Sequence, residues 1–597
     1  MNAAETKICL NCDAVFTIEL EDFAFYGKLN VPPPTRCPRC RLRRRLSFMN
    51  ERSLYRSICA HCGKKILSVF SPGSRRLVYC PACWWSDVWD PMDYGTQYDF
   101  SRPFFAQYRE LLERIPHPSR ETVESTLVNS DYCNITSYLK NSYLVFNSDY
   151  DEDCAYSSYL ERSSRCVDIT MGDLSELCYE SHNIYKCNRV IFSDNCNECV
   201  DVAFSKDCIG CEHCFGCVNL RNKQYYIFNR PFTKETYFQE IEKYDIGSYR
   251  VRQELTERLN ALSRSLPKRY AHGLKNLNVK GDFIFNSKNV TESYEVTDAK
   301  DCKYCHFLFI ASTNDAYDFT MWGGGAERVY ECMGTGGGQS DIRFCYECWS
   351  SDTRNLEYCM YSQGSDLFGC MGVRKKQYCI LNKQYSKEEY EALHSRILEQ
   401  MRSMPYIDAK GNTYSYGEFF PSEISPFNYR ETMAQMYFPL TQAEVVAQGF
   451  NGKHFDEAKH YDISIDAPGL PDNIKDVRDS ITDEIIGCVH RGTCGEQCTT
   501  AFRITPTELE FYRHMGLPLP RLCPNCRHYA RLSDGPGLDF FERQCMCLGQ
   551  SSKEGHYRNL SVHAHGVHPC TNTFETAYAL DRRETVYCEQ CYQAETV

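Results

Sequence analysis

Ser193-Asp-Asn-Cys196-Asn-Glu-Cys199-Val-Asp-Val202-Ala-Phe-Ser205-Lys-Asp-Cys208-Ile-Gly-Cys211-Glu-His-Cys214-Phe-Gly-Cys217 places a small or apolar residue at every third position. The register runs from Ser130 to Leu220, and all eleven cysteines between Cys133 and Cys217 fall in it. Asp151 is its one charged member. A helix repeats every 3.6 residues and an ordinary strand every two, so neither produces a period of three. A narrow β-solenoid with about twelve residues per coil does, because each of its four short sides turns one small residue inward. Columns then stack coil on coil, as Cys154, Cys166 and Cys178, and again as Cys187, Cys199 and Cys211. At roughly 4.8 Å per coil, this stretch predicts a rod of about 35–40 Å.

The rod ends in a signature that recurs. Phe215-Gly-Cys-Val-Asn-Leu-Arg-Asn-Lys-Gln-Tyr-Tyr-Ile-Phe-Asn229 returns 153 residues later as Phe368-Gly-Cys-Met-Gly-Val-Arg-Lys-Lys-Gln-Tyr-Cys-Ile-Leu-Asn382. Each copy continues into a Lys-Glu-x-Tyr helix start, at Lys234–Tyr237 and Lys387–Tyr390. A duplicated unit follows, a solenoid with a helix capping its end. Helical periodicity covers Tyr237–Leu266 and Tyr390–Ser403. The second solenoid is less regular. Cys302, Cys305 and Cys332 share one register, Cys345 and Cys348 another, and Cys359 stands in a third segment. The slips fall near Gly323–Gly325 and Gly336–Gly338, as loops inserted between coils would cause. Neither glycine run leads from a strand into a helix, which argues against a phosphate-cradling loop.

The composition narrows the setting. No apolar run spans a bilayer and Met1–Leu10 lacks a signal-peptide core, so the expectation is a cytoplasmic protein without membrane contact. An odd count of 37 cysteines in a reducing compartment indicates metal ligands and buried thiols, not a disulfide framework. The net charge of −12 is unevenly distributed. Met1–Arg76 holds 14 Lys/Arg against 6 Asp/Glu, whereas Glu121–Leu220 holds 6 against 17. A basic head beside an acidic rod concerns partners rather than fold.

Paired thiols mark both ends. Cys9 and Cys12 with Cys37 and Cys40, and Cys59 and Cys62 with Cys80 and Cys83, have the two-knuckle spacing of a closed tetrahedral zinc site. Both sets return near the C-terminus. Cys12, Phe16, Tyr26, Cys37, Cys40 and Arg41 recur 486 positions on as Cys498, Phe502, Tyr512, Cys523, Cys526 and Arg527. Cys494 is the expected fourth ligand there, with Cys488 as a competitor. Cys62, Cys80 and Cys83 recur 508 positions on as Cys570, Cys588 and Cys591, but Cys59 falls on Val567. The missing ligand is then Cys545, Cys547, His563, His565 or His568, and Cys547 is the expected one. About four Zn²⁺ per chain are implied, each structural in type.

Phe16-Thr-Ile-Glu-Leu-Glu-Asp-Phe-Ala-Phe-Tyr26 followed by Pro32-Pro-Pro-Thr-Arg-Cys-Pro-Arg-Cys-Arg41 resembles the family of probable treble-clef zinc ribbons, and Phe502–Arg527 resembles it equally. The two copies span 8–45 and 493–531. The resemblance implies a knuckle, a hairpin and a helix whose first turn carries the second thiol pair. The whole arrangement resembles multi-zinc-ribbon proteins of candidate-phylum bacteria, which implies an architecture and no particular activity.

The expected architecture is therefore mainly β, with two duplicated narrow solenoids, each followed by a helix, between small zinc ribbons. The units are a treble-clef ribbon over 1–56, a second ribbon over 57–95, an aromatic buttress over 96–120 and a Cys-rich solenoid over 121–230. A helical segment (231–272), the second solenoid (273–385), a helix (386–404) and a connector (405–487) follow. A treble-clef ribbon (488–535) and a last ribbon (536–597) close the chain.

A helix starting at Cys37 would present Arg41, Arg43, Arg44 and Arg45, with Arg52 and Arg56 beyond, beside Phe48 and Tyr55. Such a surface suits phosphate backbones and bases, and the expected partner is RNA or a ribonucleoprotein. Its alternative is a basic face that pairs with the protein's own acidic rod. On the rod, the outward Tyr132, Tyr138, Tyr143, Tyr150, Tyr156 and Tyr159 amid acids favour a basic protein segment as partner. The run Cys208–Cys217 has an iron–sulfur or thiol-redox alternative, but the three-residue register already places these thiols inward. With no catalytic constellation in the sequence, the expectation is a non-enzymatic scaffold; an interaction platform alone is the third possibility.

Overall fold

The computed structural model describes residues 4–452, 461–535, 537–549 and 557–596, and the chain is mainly β. Between Asn134 and Ile227, short strands pair in parallel with partners twelve residues along: Asn134 with Phe146, Val167 with Tyr179, Cys196 with Cys208, and Cys214 with Tyr226. The period of three has a backbone cause. From Ile135 to Phe228, every third residue lies in the left-handed region, and only Gly210 and Gly216 among these are glycines. Two extended residues and one left-handed corner make one short side. A left-handed non-glycine residue costs roughly 1 kcal/mol, so the parallel ladder and the interior it encloses must offset a long series of such costs. At Gly216 the corner also needs the missing side chain, since a Cβ there would lie 2.5 Å from the Phe228 ring.

The residue after each corner points inward. Cys133, Cys154, Cys166, Cys178, Cys196, Cys208, Cys214 and Cys217 are all buried in one cluster with Val145, Leu160 and Ile169. Cys133 Sγ faces the Ser142 carbonyl at 3.5 Å, and the other thiols face backbone carbonyls two residues back, as in Cys166 Sγ to Ser164 O at 3.4 Å. Inward serines accept the N–H of the residue twelve on, as Ser181 Oγ does from Ser193 at 3.2 Å. Asp151 accepts one such N–H, from Ser163 at 2.9 Å. Burial pushes its carboxyl well above the usual range.

The second ladder, from Leu277 to Ile380, is also parallel, but its offsets vary. Gly281 pairs with Ser293, Thr313 with Ala326, Ser340 with Arg354, and Arg354 with Ser365. The glycine runs are not free loops. Gly323 pairs with Gly336, and a Cβ on Gly336 would lie 2.2 Å from the Gly323 carbonyl oxygen. Two neighbouring passes are lengthened together, and their backbones touch where side chains are absent.

The helix expected over Tyr237–Leu266 is two helices, Lys234–Ile241 and Tyr249–Ser265. Ser248 caps the second by accepting from Val251 N, so the chain restarts there after Gly247. The other helix spans Lys387–Ser403.

The ends cross over. The helix Pro38–Leu46, which starts at the Cys37–Cys40 pair, packs on the second ladder, and its C-terminal counterpart, Pro524–Asp534, packs on the first. The recurring ladder-end arginines behave alike. Arg374 Nη2 donates to Trp84 O at 2.6 Å beside the Cys59–Cys83 unit, and Arg221 Nη2 donates to the Tyr592 hydroxyl at 3.3 Å beside the Cys570–Cys591 unit. The stretch expected as a connector contributes to the interior: Phe419 and Phe420 are buried against Phe48 at 5.4 and 5.7 Å, and Phe420 stacks on Tyr108 at 5.5 Å. Tyr108 belongs to a helix over Phe104–Arg114.

Candidate metal centres

Each thiol quartet is assembled in the same way. A short strand delivers the first cysteine: Glu5–Ile8 precedes Cys9, Tyr55–Ile58 precedes Cys59, Ile486–Gly487 precedes Cys488, and Phe541–Gln544 precedes Cys545. The third cysteine then donates its backbone N–H to that first sulfur. The distances are 3.3 Å for Cys37 to Cys9, 3.3 Å for Cys80 to Cys59, 3.3 Å for Cys523 to Cys488 and 3.2 Å for Cys588 to Cys545. Pro38, Pro81 and Pro524 follow the third cysteine as the first residue of a helix, where proline's missing N–H costs nothing. The fourth cysteine lies in the first turn.

The resulting sets are Cys9, Cys12, Cys37 and Cys40; Cys59, Cys62, Cys80 and Cys83; Cys488, Cys498, Cys523 and Cys526; and Cys545, Cys570, Cys588 and Cys591. Sulfur separations are 3.7 Å for Cys12–Cys37, 3.8 Å for Cys62–Cys80, 3.9 Å for Cys498–Cys523 and 4.0 Å for Cys570–Cys588. Tetrahedral zinc with Zn–S near 2.3 Å requires edges of about 3.8 Å. The donor sets fit metal ions of the zinc type.

Each quartet also favours a thiolate. Hydrogen bonds from Cys37 and then Cys40 hold Cys9 well below the ordinary cysteine range. Cys59 falls to about 6, since burial raises it but the N–H groups of Cys62, Cys80 and His61 outweigh that. Contact with Cys498 and Cys526 lowers Cys488 to about 6, and contact with Cys545 lowers Cys588 to about 4.

Two ligands differ from the sequence expectation. Cys488, not Cys494, closes the third quartet; Cys494 stays beside it as a further thiol, 3.7 Å from Cys526 Sγ. Cys545, not Cys547, closes the fourth. The reason is common to both: the first ligand is the residue immediately after the strand, however long the chain takes to reach the second. Matching by fixed offset from the later cysteines could not find it, because both loops are longer in the C-terminal copies. Cys547 instead belongs to a separate group with His563, His565 and Cys591.

The arginines expected to bind nucleic acid are corrected more fully. Arg41, Arg43, Arg44, Arg45 and Arg52 are buried. Arg41 Nη2 lies 2.8 Å and Arg45 Nη1 3.2 Å from Asp318. Arg44 meets Glu331 and Glu418, both at 3.0 Å. Arg52 donates to Ser158 Oγ at 2.6 Å and stacks on Phe146 at 4.6 Å. Arg43 stacks on Phe450 at 5.3 Å. Arg56 alone is exposed. The acids that draw these groups inward lie hundreds of residues away, so the helix reads as basic and solvated until its partners are placed.

The tyrosine column divides. Tyr132, Tyr138, Tyr143 and Tyr150 are exposed, with Tyr138 and Tyr150 stacked at 4.6 Å. Tyr156 and Tyr159 are covered instead, their hydroxyls donating to Glu508 and Glu51, each at 2.8 Å. The thiols of Cys208, Cys211, Cys214 and Cys217 are buried and face the carbonyls of Lys206, Ile209, Glu212 and Phe215 at 3.4–3.5 Å. A cleft of about 320 Å³ lies between the first ladder, the Tyr249–Ser265 helix and the C-terminal ribbon, lined by Glu180, Arg252, Arg521, Arg527 and Ala530. No helix among the described residues is long and apolar enough to cross a membrane.

No protein-family profile matches the chain, and no curated protein sequence is similar to it. A solved structure from Desulfovibrio desulfuricans G20, described as a candidate acetyltransferase, aligns with 49% of this chain and 86% of its own at 10% identity, with a TM-score of 0.10. That score carries no fold or functional argument.

Proposed function

We propose that the protein is a non-enzymatic scaffold in which zinc ribbons of treble-clef type, two at each end, clamp two duplicated narrow β-solenoids. The observation that carries this reading is the reciprocal docking of the ribbon helices. Arg41 and Arg45 close on Asp318 of the second ladder, and Arg527 and Arg531 close on Asp168 of the first, at 2.9 and 3.2 Å. Metal fixes the start of each helix, and the helix then holds a ladder. The conspicuous charges near the metal quartets thereby act inside the molecule, as a structural role for zinc requires. The twelve-residue parallel offset and the left-handed corners support the solenoid reading of the first ladder; the second is its looser copy. The carbonyl-facing thiols of Cys208–Cys217 support a packing role over an iron–sulfur or redox one.

RNA or ribonucleoprotein binding through the N-terminal helix has lost its carriers, because five of its six arginines are internal. The partner that the remaining surface favours is a basic protein segment laid on the exposed Tyr132, Tyr138, Tyr143 and Tyr150 of the acidic first ladder.

Metal analysis of the full chain tests the core of this reading. Zinc without iron, in a colourless protein, is the expected result; stoichiometric iron with visible absorption would overturn it. For the partner, polylysine should bind the wild type and lose affinity when Tyr138 and Tyr150 are both replaced by Ser. Tight, salt-dependent RNA binding that survives Arg56→Ala would require another surface altogether.

A further inference from the structure

Cys547 is displaced from the fourth quartet, yet it is not idle. Its sulfur lies 3.5 Å from His563 Nδ1 and 3.3 Å from His565 Nε2, and His565 Nε2 lies 3.3 Å from Cys591 Sγ. All four donor atoms lie within 4.8 Å of one another. With Zn–S near 2.3 Å and Zn–N near 2.0–2.1 Å, a tetrahedral site has sulfur–nitrogen edges of about 3.5 Å, close to these separations.

The two imidazoles are also oriented from behind. His563 donates through Nε2 to Glu595 Oε1 at 2.8 Å, which leaves the Nδ1 lone pair directed at Cys547. His565 donates through Nδ1 to the His568 carbonyl at 2.7 Å, which leaves Nε2 directed at Cys547 and Cys591. An acceptor on the far nitrogen that fixes tautomer and ring plane is the usual support of a metal-bound histidine. His563 and Glu595 are both buried, and Asn559 Nδ2 donates to Cys547 Sγ at 3.1 Å.

Cys591 belongs to both sets: Cys545, Cys570, Cys588 and Cys591 on one side, and Cys547, His563, His565 and Cys591 on the other. We propose that the C-terminal module binds two divalent ions of the zinc class, bridged by the Cys591 thiolate. The ligand count closes. Two four-coordinate ions need eight ligand positions, and seven residues supply them when one sulfur is shared. Neither ion keeps an open position, so the pair is structural. His563 and His565, which have no counterpart between Cys59 and Cys62 of the N-terminal copy, are what bring in the second ion.

The proposal rests on the zinc reading of the quartets but fails separately from it. The full chain, loaded with Co²⁺ alone, should hold five ions, and electron paramagnetic resonance should show two of them magnetically coupled through the shared sulfur. Four ions without coupling would overturn the second site and leave the quartets standing. Five ions without coupling would overturn the bridge, and none at all would overturn the zinc reading itself. His565→Ala should release one ion while Cys591→Ser weakens both. Equal counts in wild type and His565→Ala, with native circular dichroism in each, would also refute the proposal.

Discussion

The N-terminal thiol module on the second ladder and the C-terminal thiol module on the first are two versions of one joint. The shared part is close to identical. Arg45 Nε meets Thr320 Oγ1 at 3.2 Å where Arg531 Nε meets Thr170 Oγ1 at 3.1 Å. Arg41 donates to the Arg36 carbonyl where Arg527 donates to that of Leu522, at 2.6 and 3.1 Å. Arg41 covers Tyr304 at 5.1 Å, and Arg527 covers Tyr156 at 5.0 Å.

The difference lies one residue away. Arg43 and Arg44 are replaced in the C-terminal copy by Tyr529 and Ala530. Arg44 joins Glu331 to Glu418, and Glu418 also accepts from Thr35 and Arg36. At the other joint, Glu180 is taken by Arg252 of the Tyr249–Ser265 helix, and Ala530 lines an open cleft. Two arginines reach the ladder at both joints. The additional ones at the N-terminal joint reach a third piece, the Glu418 segment.

Removing metal should disturb both joints most, because a structural zinc site contributes on the order of 10 kcal/mol to its own fold. A strong chelator should expose 4–83 and 488–596 to protease while the ladders persist. Simultaneous loss of all regions in one cooperative step would show that the ladders do not stand without their clamps.

Next in size is Asp168→Ala, which leaves Arg531 buried without its ion-pair partner and Arg527 with only Glu508 at 4.0 Å, and should cost about 3–5 kcal/mol. Asp318→Ala should cost less, since Arg45 keeps Glu331 at 3.6 Å. Urea midpoints in the reverse order would break the comparison. Arg44→Ala makes the first joint resemble the second. It should cost about 1–3 kcal/mol, as Glu331 and Glu418 keep Arg45 and Arg36. A loss as large as that of Asp168→Ala would mean that the two-arginine joint is not self-sufficient.

A further effect concerns pH. Burial, reinforced by Asp282 and opposed by His272, raises the Glu295 carboxyl to about 8. The folded chain therefore keeps this proton after the unfolded chain has lost it. Its contribution is full below the ordinary glutamate pKa near 4.5 and is lost as pH rises towards about 8. Glu295→Gln should flatten the fall in melting temperature over that window. An unchanged slope would assign the pH dependence elsewhere, with Asp151 the next candidate.

Much of this was legible in the chain because it is local. A corner after every third residue requires an inward small residue after every corner, so the spacing of Cys133 to Cys217 determined a mainly β ladder and the burial of its thiols. Thiol pairs with two residues between them determined metal-binding ends, and the repeats at 486 and 508 positions determined that the ends were duplicated, as the repeat at 153 did for the ladder. The first ligands of the last two quartets were open to sequence reasoning only through the rule that they follow a strand, and those strands are two and four residues long.

The destination of the arginines was decided by the tertiary structure alone. A guanidinium group written Arg41, Arg44 or Arg45 is the same whether it meets a phosphate, water or Asp318, and its acidic partners lie 273 to 374 residues away. The same holds for Cys591: spacing can assign it to one metal, but only the return of His563 and His565 to the far side of its sulfur can give it two. Local geometry is written in spacing, whereas the partner of a charge or the second face of a thiolate exists only once distant segments meet.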